Sequence, residues 1–251
     1  MRNLHKWEDL RPEEFYEEFN RKPIVYWGCG AMEEHGLHNA LGTDPYSGYE
    51  IGLRAVEISG GILFPPVPFA PAGFPGRSRD ELRRAKLESL MPPSLWTSRE
   101  LCERLYVELM EAMSDLGFKV CIAIGGHWPA DMLLQNIEKK CQGRIGNMRF
   151  WGGGTVRILH DVVAEEAKKD PLIGGHGMMW ETSLVMAIRK DWVEVERAAR
   201  IKSSPLPSQL KPGSDEVIAH IVKANPELGN RLFNTAAERL AKLAGEMLSG
   251  S

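Results

Sequence analysis

Ionisable side chains crowd the segment that follows the first apolar run of the sequence. Residues 23–27 are typical of a buried strand, and the residues that come next include Glu33, Glu34, His35, His38 and Asp44. Carboxylates and imidazoles are the ligand types that hold divalent cations such as zinc and manganese. Glu33 and His35 are two positions apart, so in a loop both can point the same way, and the turn before Asp44 can bring it back toward them. The segment therefore predicts metal ligands just beyond the end of a strand.

Two further clusters occupy similar places in the chain. Gly125-Gly126-His127 follows a second apolar run, and His176 precedes Glu181-Thr182-Ser183 at the start of a helical pattern. In open α/β sheets, ligands bind beyond the carboxyl ends of the strands, so all three clusters are expected in one crevice. A single histidine at a strand end is more often a hydrogen-bonded core residue, and adjacent acids are usually solvated. The metal interpretation therefore rests on the three clusters together, with an aspartate bridging two ions as in many two-metal hydrolases.

The elements that position these clusters alternate along the chain. Apolar runs predict strands over 23–29, 118–124 and 147–151, with an extended segment over 62–67. Helical patterns cover 45–58, 130–140, 155–169, 180–190 and most of 213–248, and Thr97 to Glu100 fits a capping box before a helix that reaches about 117. This alternation predicts one α/β domain over 1–251, a three-layer α/β/α arrangement with a mostly parallel sheet.

Composition restricts the classes of partner. The chain has 251 residues, 43% of them hydrophobic, and a formal net charge of −3. No basic excess predicts nucleic-acid binding, and no apolar window is long enough for a membrane span. The four cysteines are widely spaced and the N-terminus lacks an apolar segment, so reduced thiols and a cytoplasmic location are expected.

Other chemistries fit the same residues less well. Gly28-x-Gly30 after a strand is reminiscent of a dinucleotide loop, but Glu33 and Glu34 would repel a pyrophosphate. The sequence has no GxSxG nucleophile motif, and Cys29 lies at the apolar strand end. A site for divalent metal is the interpretation that uses the whole set of residues.

The motifs resemble those of the creatininase family. Gly30-Ala31-x-Glu33-x-His35-Gly36-x-His38, followed by Leu41-x-Thr43-Asp44, resembles the family's opening motif. Phe74-Pro75-Gly76, Gly117-Phe118-Lys119, the strand to His127 and Gly175-His176-Gly177-x-x-x-Glu181-Thr182-Ser183 are similar to its later motifs. Their order and spacing agree from about residue 23 to 190.

The resemblance implies a creatininase-like fold and a site with two metals per chain, which are zinc, manganese or iron. It implies hydrolysis of a C–N bond in a small polar, commonly cyclic amide, by a homo-oligomer that is often a hexamer. Residues that match the metal ligands are Glu33, His35, Asp44 and His127, with Glu181 at or beside the metals. His176 matches the histidine assigned to proton transfer.

The sequence also departs from the family. Pro129 stands where creatininase itself has a glutamate for the second metal, so either Glu181 completes that site or one metal is held weakly. Creatinine is therefore not the expected substrate. Arg77 lies in a segment that replaces the residues usual after Phe-Pro-Gly; it is either a substrate contact at the mouth of the site or a solvated side chain. Some relatives open an oxidised inositol ring, as in 3-dehydro-scyllo-inosose hydrolase, and this C–C cleavage is an alternative function.

Several neighbouring residues receive provisional roles. His176 is expected to give a proton to the leaving atom, and Glu34 either orients a ligand histidine or is simply exposed. Trp128 and Trp151 either wall the substrate pocket, together with His38, or belong to ordinary packing. A non-catalytic metal- or sugar-binding protein that uses the same crevice is a third function class.

Overall fold

The computed structural model of the protein describes residues 4–72, 94–170, 172–202 and 215–250. Its strands are β1 (Ile24–Cys29), β2 (Ile62–Leu63), β3 (Val120–Gly125), β4 (Arg144–Ile145) and β5 (Met148–Gly154). The helices before β4 are α1 (Pro12–Arg21), α2 (Thr43–Ser59), α3 (Arg99–Leu116) and α4 (Trp128–Lys140). Those after β5 are α5 (Thr155–Ile158), α6 (His160–Lys169), α7 (Met179–Ile188), α8 (Asp215–Ile221) and α9 (Pro226–Ser249).

The strands form one sheet in the order β2-β1-β3-β5-β4. Neighbouring strands are parallel, except that the short β4 runs antiparallel to β5 at the edge. In the register of the three central strands Cys29 pairs with Gly125, and Gly125 pairs with Gly154. The carboxyl ends of β1, β3 and β5 are therefore level, and the loops that follow them start at the same edge of the sheet.

Helices cover both faces of the sheet. Tyr26 and Ile122 point into a core formed with α2, α7 and α9. Trp27 and Ala123, the next residues along each strand, point to the opposite core, where α3 and α4 pack and α1 adds partly buried aromatic side chains. Every residue of β1 and β3 is buried, as is usual for parallel strands covered on both faces. The predicted three-layer α/β/α fold with a mostly parallel sheet is confirmed.

Some element boundaries differ from the prediction. The extended segment 62–67 is a strand only over its first two residues, because Pro65 and Pro66 have no N–H group to donate to a ladder. Helix α3 is capped by Ser98, whose hydroxyl accepts a hydrogen bond from Leu101 N, and not by Thr97, which donates to the Ala70 carbonyl.

The remaining differences lie in three places. The helix predicted over 155–169 is broken at Leu159, and α1 and β4 were not predicted. Amphipathic α9 agrees with the prediction for 229–248 and packs on α2 and α7. Among the described residues, no helix combines the length and apolar character that crossing a membrane requires.

Candidate metal centre

The level strand ends bring the predicted ligands together. Glu33 and His35 lie in the loop after β1, and Asp44 is the second residue of α2. His127 immediately precedes α4 in the connection from β3, and Glu181 lies in the first turn of α7. Three separate connections thus deliver side chains to one edge of the sheet, as expected for a parallel α/β fold.

Close backbone contact fixes the start of α2 against the loop that carries His127. A Cβ atom added at Gly126 would lie 1.9 Å from the Asp44 carbonyl oxygen, and one added at Gly30 would lie 2.6 Å from the Asp44 Cβ. Only glycine leaves room for this approach at either position. The glycines beside the two loops therefore set how near Asp44 comes to His127.

Asp44 stands between the two imidazoles. Its Oδ1 lies 2.9 Å from His35 Nε2, and its Oδ2 lies 2.8 Å from His127 Nδ1. The residue is only 2% exposed. Although burial acts in the opposite direction, the charges of His35 and His127 hold the pKa of Asp44 below its usual range. The Asp44 carboxylate therefore directs one oxygen toward His35 and the other toward His127.

Backbone carbonyls fix the orientation of both histidines. His35 Nδ1 lies 3.0 Å from the Glu33 carbonyl oxygen, and His127 Nε2 lies 3.0 Å from that of Pro71. A carbonyl only accepts, so these nitrogens carry hydrogen, and the other nitrogen of each ring faces carboxylates. That nitrogen needs either a proton or a cation, because a lone pair directed at a carboxylate is repelled.

The carboxylates around the two rings favour the protonated form when no cation is present. Burial lowers the pKa of His35, but the negative charge of Asp44 outweighs it and raises the pKa to about 10. The same balance, with Asp44 and Glu33 opposing burial, raises the pKa of His127 to about 10. Protons occupy the places that a divalent cation would take.

The ligand atoms form two groups that share Asp44. One consists of Glu33, Asp44 and His127, the other of His35, Asp44 and Glu181, and within each group the ligand atoms lie within 4.8 Å of one another. Glu33 Oε2 lies 3.0 Å from His127 Nδ1, and Glu181 Oε2 lies 3.7 Å from His35 Nε2. Carboxylate oxygens and imidazole nitrogens in this number suit two divalent cations.

His176 lies directly over this cluster. Its ring stacks on His35 with the ring centroids 4.2 Å apart, and its Nε2 donates to the Glu34 carbonyl oxygen at 2.5 Å. The Glu34 carboxylate accepts from the Gly36 amide at 2.8 Å, within its own loop. The backbone carbonyl of Glu34 therefore lies beside the predicted proton-transfer residue, and its carboxylate binds an amide of the loop that carries His35.

His38 is hydrogen-bonded to the segment that leads to Glu181. It is 2% exposed, and its Nε2 donates to the Gly177 carbonyl oxygen at 3.0 Å, while the Gly177 amide donates to Glu181 Oε2 at 2.6 Å. Burial lowers the pKa of His38 to about 4, so the ring is neutral. His38 is not among the described residues that line the cavity, so its position suits bracing of the Glu181 loop better than the predicted substrate contact.

Comparison with known proteins identifies the family. The family model described as Creatininase: Creatinine amidohydrolase matches residues 8–244. The chain belongs to the creatininase family. The predicted class, a metal-dependent hydrolase of the amidohydrolase type, is confirmed by this membership. No curated protein matches the chain.

Solved creatininase structures have the same fold. A tryptophan-to-phenylalanine mutant creatininase aligns with a TM-score of 0.72 at 15% identity, covering 96% of this chain and 97% of its own. A glutamate-to-glutamine mutant of Zn-Zn type has a TM-score of 0.70 at 16% identity and covers 98% of both chains. A structure titled Creatininase Mn has a TM-score of 0.70 at 15% identity, covering 96% of this chain and 98% of its own.

A cavity of about 480 Å³ opens beside the creatininase motifs. All five predicted ligands and His176 line it, as does Trp128, which is 54% exposed at the start of α4. Trp151 is placed elsewhere: it packs against the core, and the Arg157 guanidinium covers its ring at 4.8 Å. Arg77 and the Phe-Pro-Gly turn lie outside the described residues.

Asp131 and Trp180 line the cavity but were not singled out in the sequence. Asp131 lies one helical turn after His127, and its Oδ1 accepts from Gly154 N and from Gln135 Nε2, both at 2.7 Å. Burial raises the pKa of Asp131. Trp180 directly precedes Glu181 and also lines the cavity. The spacing of four from His127 on a helix was the available signal for Asp131.

Proposed function

We propose that this protein is a metal-dependent amidohydrolase that holds two divalent cations per chain and hydrolyses a C–N bond of a small amide. The observation that carries the proposal is the position of Asp44 between His35 Nε2 and His127 Nδ1. Among the described residues, these nitrogens contact the carboxylates of Asp44, Glu33 and Glu181. Two divalent cations would be held by Asp44 together with His35 and His127, and they would satisfy both nitrogens and both carboxylate oxygens.

Charge balance supports this assignment. Glu33, Asp44 and Glu181 bring three carboxylates to a mostly buried site, and such a concentration of negative charge requires cations. Zinc, manganese and iron all accept this set of ligands, and two similar structures name zinc or manganese in their titles. Pro129 offers no ligand atom, so Glu181 is the carboxylate that completes the second position. Bound cations would lower the pKa of a coordinated water toward ~7 and polarise a substrate carbonyl.

His176 is the residue that moves a proton in this proposal. Because its Nε2 donates to the Glu34 carbonyl, Nδ1 is the ring nitrogen left to accept the proton that the attacking water gives up. Stacking on His35 keeps the ring beside the cluster. From there it would deliver the proton to the nitrogen that leaves when the amide bond breaks.

The alternative nucleophile is inactive. Cys29 lies at the end of β1, and burial raises the pKa of its thiol to about 12. A thiol with that pKa is protonated at neutral pH and attacks carbonyls poorly. Water is therefore the nucleophile in the proposed reaction. We also expect a homo-oligomer, by family resemblance a hexamer, in the cytoplasm; light scattering of the purified protein tests the first expectation.

Metal analysis combined with an amide panel tests the proposal. We expect one to two divalent ions per chain, release of an amine from at least one small amide, and loss of both in the Glu33→Gln variant. Glu13→Gln, an exposed substitution on α1, is the matched control and should keep both. Full metal retention in Glu33→Gln would refute the ligand assignment. Water addition to a keto-inositol without amine release would instead favour C–C ring opening.

A further inference from the structure

We propose that the substrate of this protein carries an apolar group beside its scissile amide, and that the apolar side chains in the lining of the cavity bind this group. The proposal rests on the proposed amidohydrolase function and deepens it by naming a substrate class. It differs from the small polar amide expected by family resemblance. The carrying observation is the composition of the cavity away from the ligand cluster.

Apolar side chains from three segments form this part of the lining. Trp180 and Leu184, four residues apart on α7, line the cavity together, and Ile173 lies in the loop before them. Val163 and Ala167, four residues apart on α6, line it from another helix. Residues at this spacing share one face of a helix, so each helix presents a pair of apolar side chains to the cavity, called here the α6 strip and the α7 strip.

Outside the metal cluster, few ionisable side chains line the cavity. Among the described lining residues, those with ionisable side chains belong to the metal cluster or to His176, with the exception of Asp131. The Asp131 Oδ1 already accepts from the Gly154 amide and from Gln135. A fully hydroxylated or charged substrate would leave polar groups against the α6 and α7 strips with nothing to bond them.

The size of the cavity points the same way. Its volume of about 480 Å³ lies within the range of pockets that enclose drug-sized ligands, about 300–1,000 Å³. A small amide at the metal ligands alone would leave the apolar strips in contact with water. An aliphatic or aromatic substituent fills that space and removes apolar surface from water, which favours binding.

Matched substrate pairs test the inference. N-formylleucine is compared with N-formylglycine, and 5-isobutylhydantoin with hydantoin, on the metal-loaded enzyme. In each pair, we expect the apolar member to have a kcat/KM at least about 10-fold higher, the scale of discrimination that a hydrophobic pocket provides for added carbon groups. Equal or lower kcat/KM for the apolar member overturns the inference while leaving the amidohydrolase proposal standing.

Binding provides a readout that does not depend on turnover. Calorimetry with the His176→Ala variant should show a lower Kd for the apolar member of each pair, and equal Kd values overturn the inference even if no pair is hydrolysed. Val163→Thr keeps the shape of the side chain but adds a hydroxyl, so it should reduce the apolar preference several-fold. Val162→Thr, its neighbour outside the described cavity lining, is the control and should leave the preference unchanged. An unchanged preference in Val163→Thr would refute the role of the α6 strip.

Discussion

Metal binding should release protons from the two ligand histidines. In the metal-free protein, the carboxylates around His35 and His127 outweigh burial and raise the pKa of each ring to about 10. Both imidazoles are therefore protonated at neutral pH and must lose that proton before the nitrogen can ligate. An ordinary histidine has a pKa of about 6.5 and would release almost nothing at pH 8.5.

The expected magnitude follows from these pKa values. At pH 8.5, loading with manganese should release about two protons per chain from the imidazoles, and at most one more from a coordinated water. The apparent association constant of each ion should rise about 10-fold for each unit of pH between 6.5 and 10, because one proton competes with each ion.

Calorimetry in buffers with different ionisation enthalpies counts the protons. Titration of manganese into metal-free protein at pH 8.5 gives an observed enthalpy whose slope against buffer enthalpy is the number released. A slope of one or less would refute the reasoning, because it would mean that the rings are neutral in the metal-free state and that the neighbouring carboxylates do not charge them.

Three further predictions address catalysis, stability and packing. His176→Ala should keep its metal and lose turnover by about 10²–10⁴-fold, measured by amine release; unchanged turnover would remove His176 from the reaction. The free energy of unfolding of metal-free protein should be highest between about pH 4 and pH 6.5. It should fall as pH rises toward 10, because the raised pKa values of His35 and His127 stabilise the fold only while both rings are protonated, and it should fall below about pH 4, because the lowered pKa of Asp44 stabilises the fold only while the carboxylate is ionised; a flat pH profile by thermal denaturation would contradict this. Gly126→Ala should lower the melting temperature and the metal content, since its Cβ would lie 1.9 Å from a backbone oxygen, whereas Gly245→Ala, on α9 with open space around it, should raise stability by up to about 1 kcal/mol; equal melting temperatures for the two variants would contradict the packing argument.

The periodic elements of the fold could be predicted because burial requires a recognisable pattern of apolar residues in the sequence. The continuous apolar runs of β1 and β3 indicated parallel strands, and α9 showed a helical apolar pattern. Helix α1 was missed: none of its residues is fully buried, and aromatic side chains such as Phe15 and Phe19 are only partly buried. Strand β4 has two residues and an antiparallel partner next to it in sequence, which is too short for a periodic signal.

The site was predictable to the extent that its residues follow strand ends. Glu33, Asp44 and His127 could be grouped in advance because parallel strands bring their carboxyl ends to one edge. Contacts between residues that are far apart in the sequence could not be predicted in this way. The hydrogen bond from His127 to the Pro71 carbonyl and the bracing of Gly177 by His38 join residues 56 and 139 positions apart. Trp151 was assigned to the pocket from its place near a strand end, but its side chain packs with the core.

The pairing of Cys29 with Gly125 has a consequence for engineering this enzyme. The hydrogen bonds between β1 and β3 fix the positions of the two strands relative to each other. Each residue inserted into or deleted from β3 therefore moves His127 along the sheet by about 3.3 Å relative to Glu33. That displacement is larger than the length of a bond between a metal and its ligand, so a small movement of the side chain cannot restore the contact. The lengths of β1 and β3 are therefore constrained by the geometry of the site.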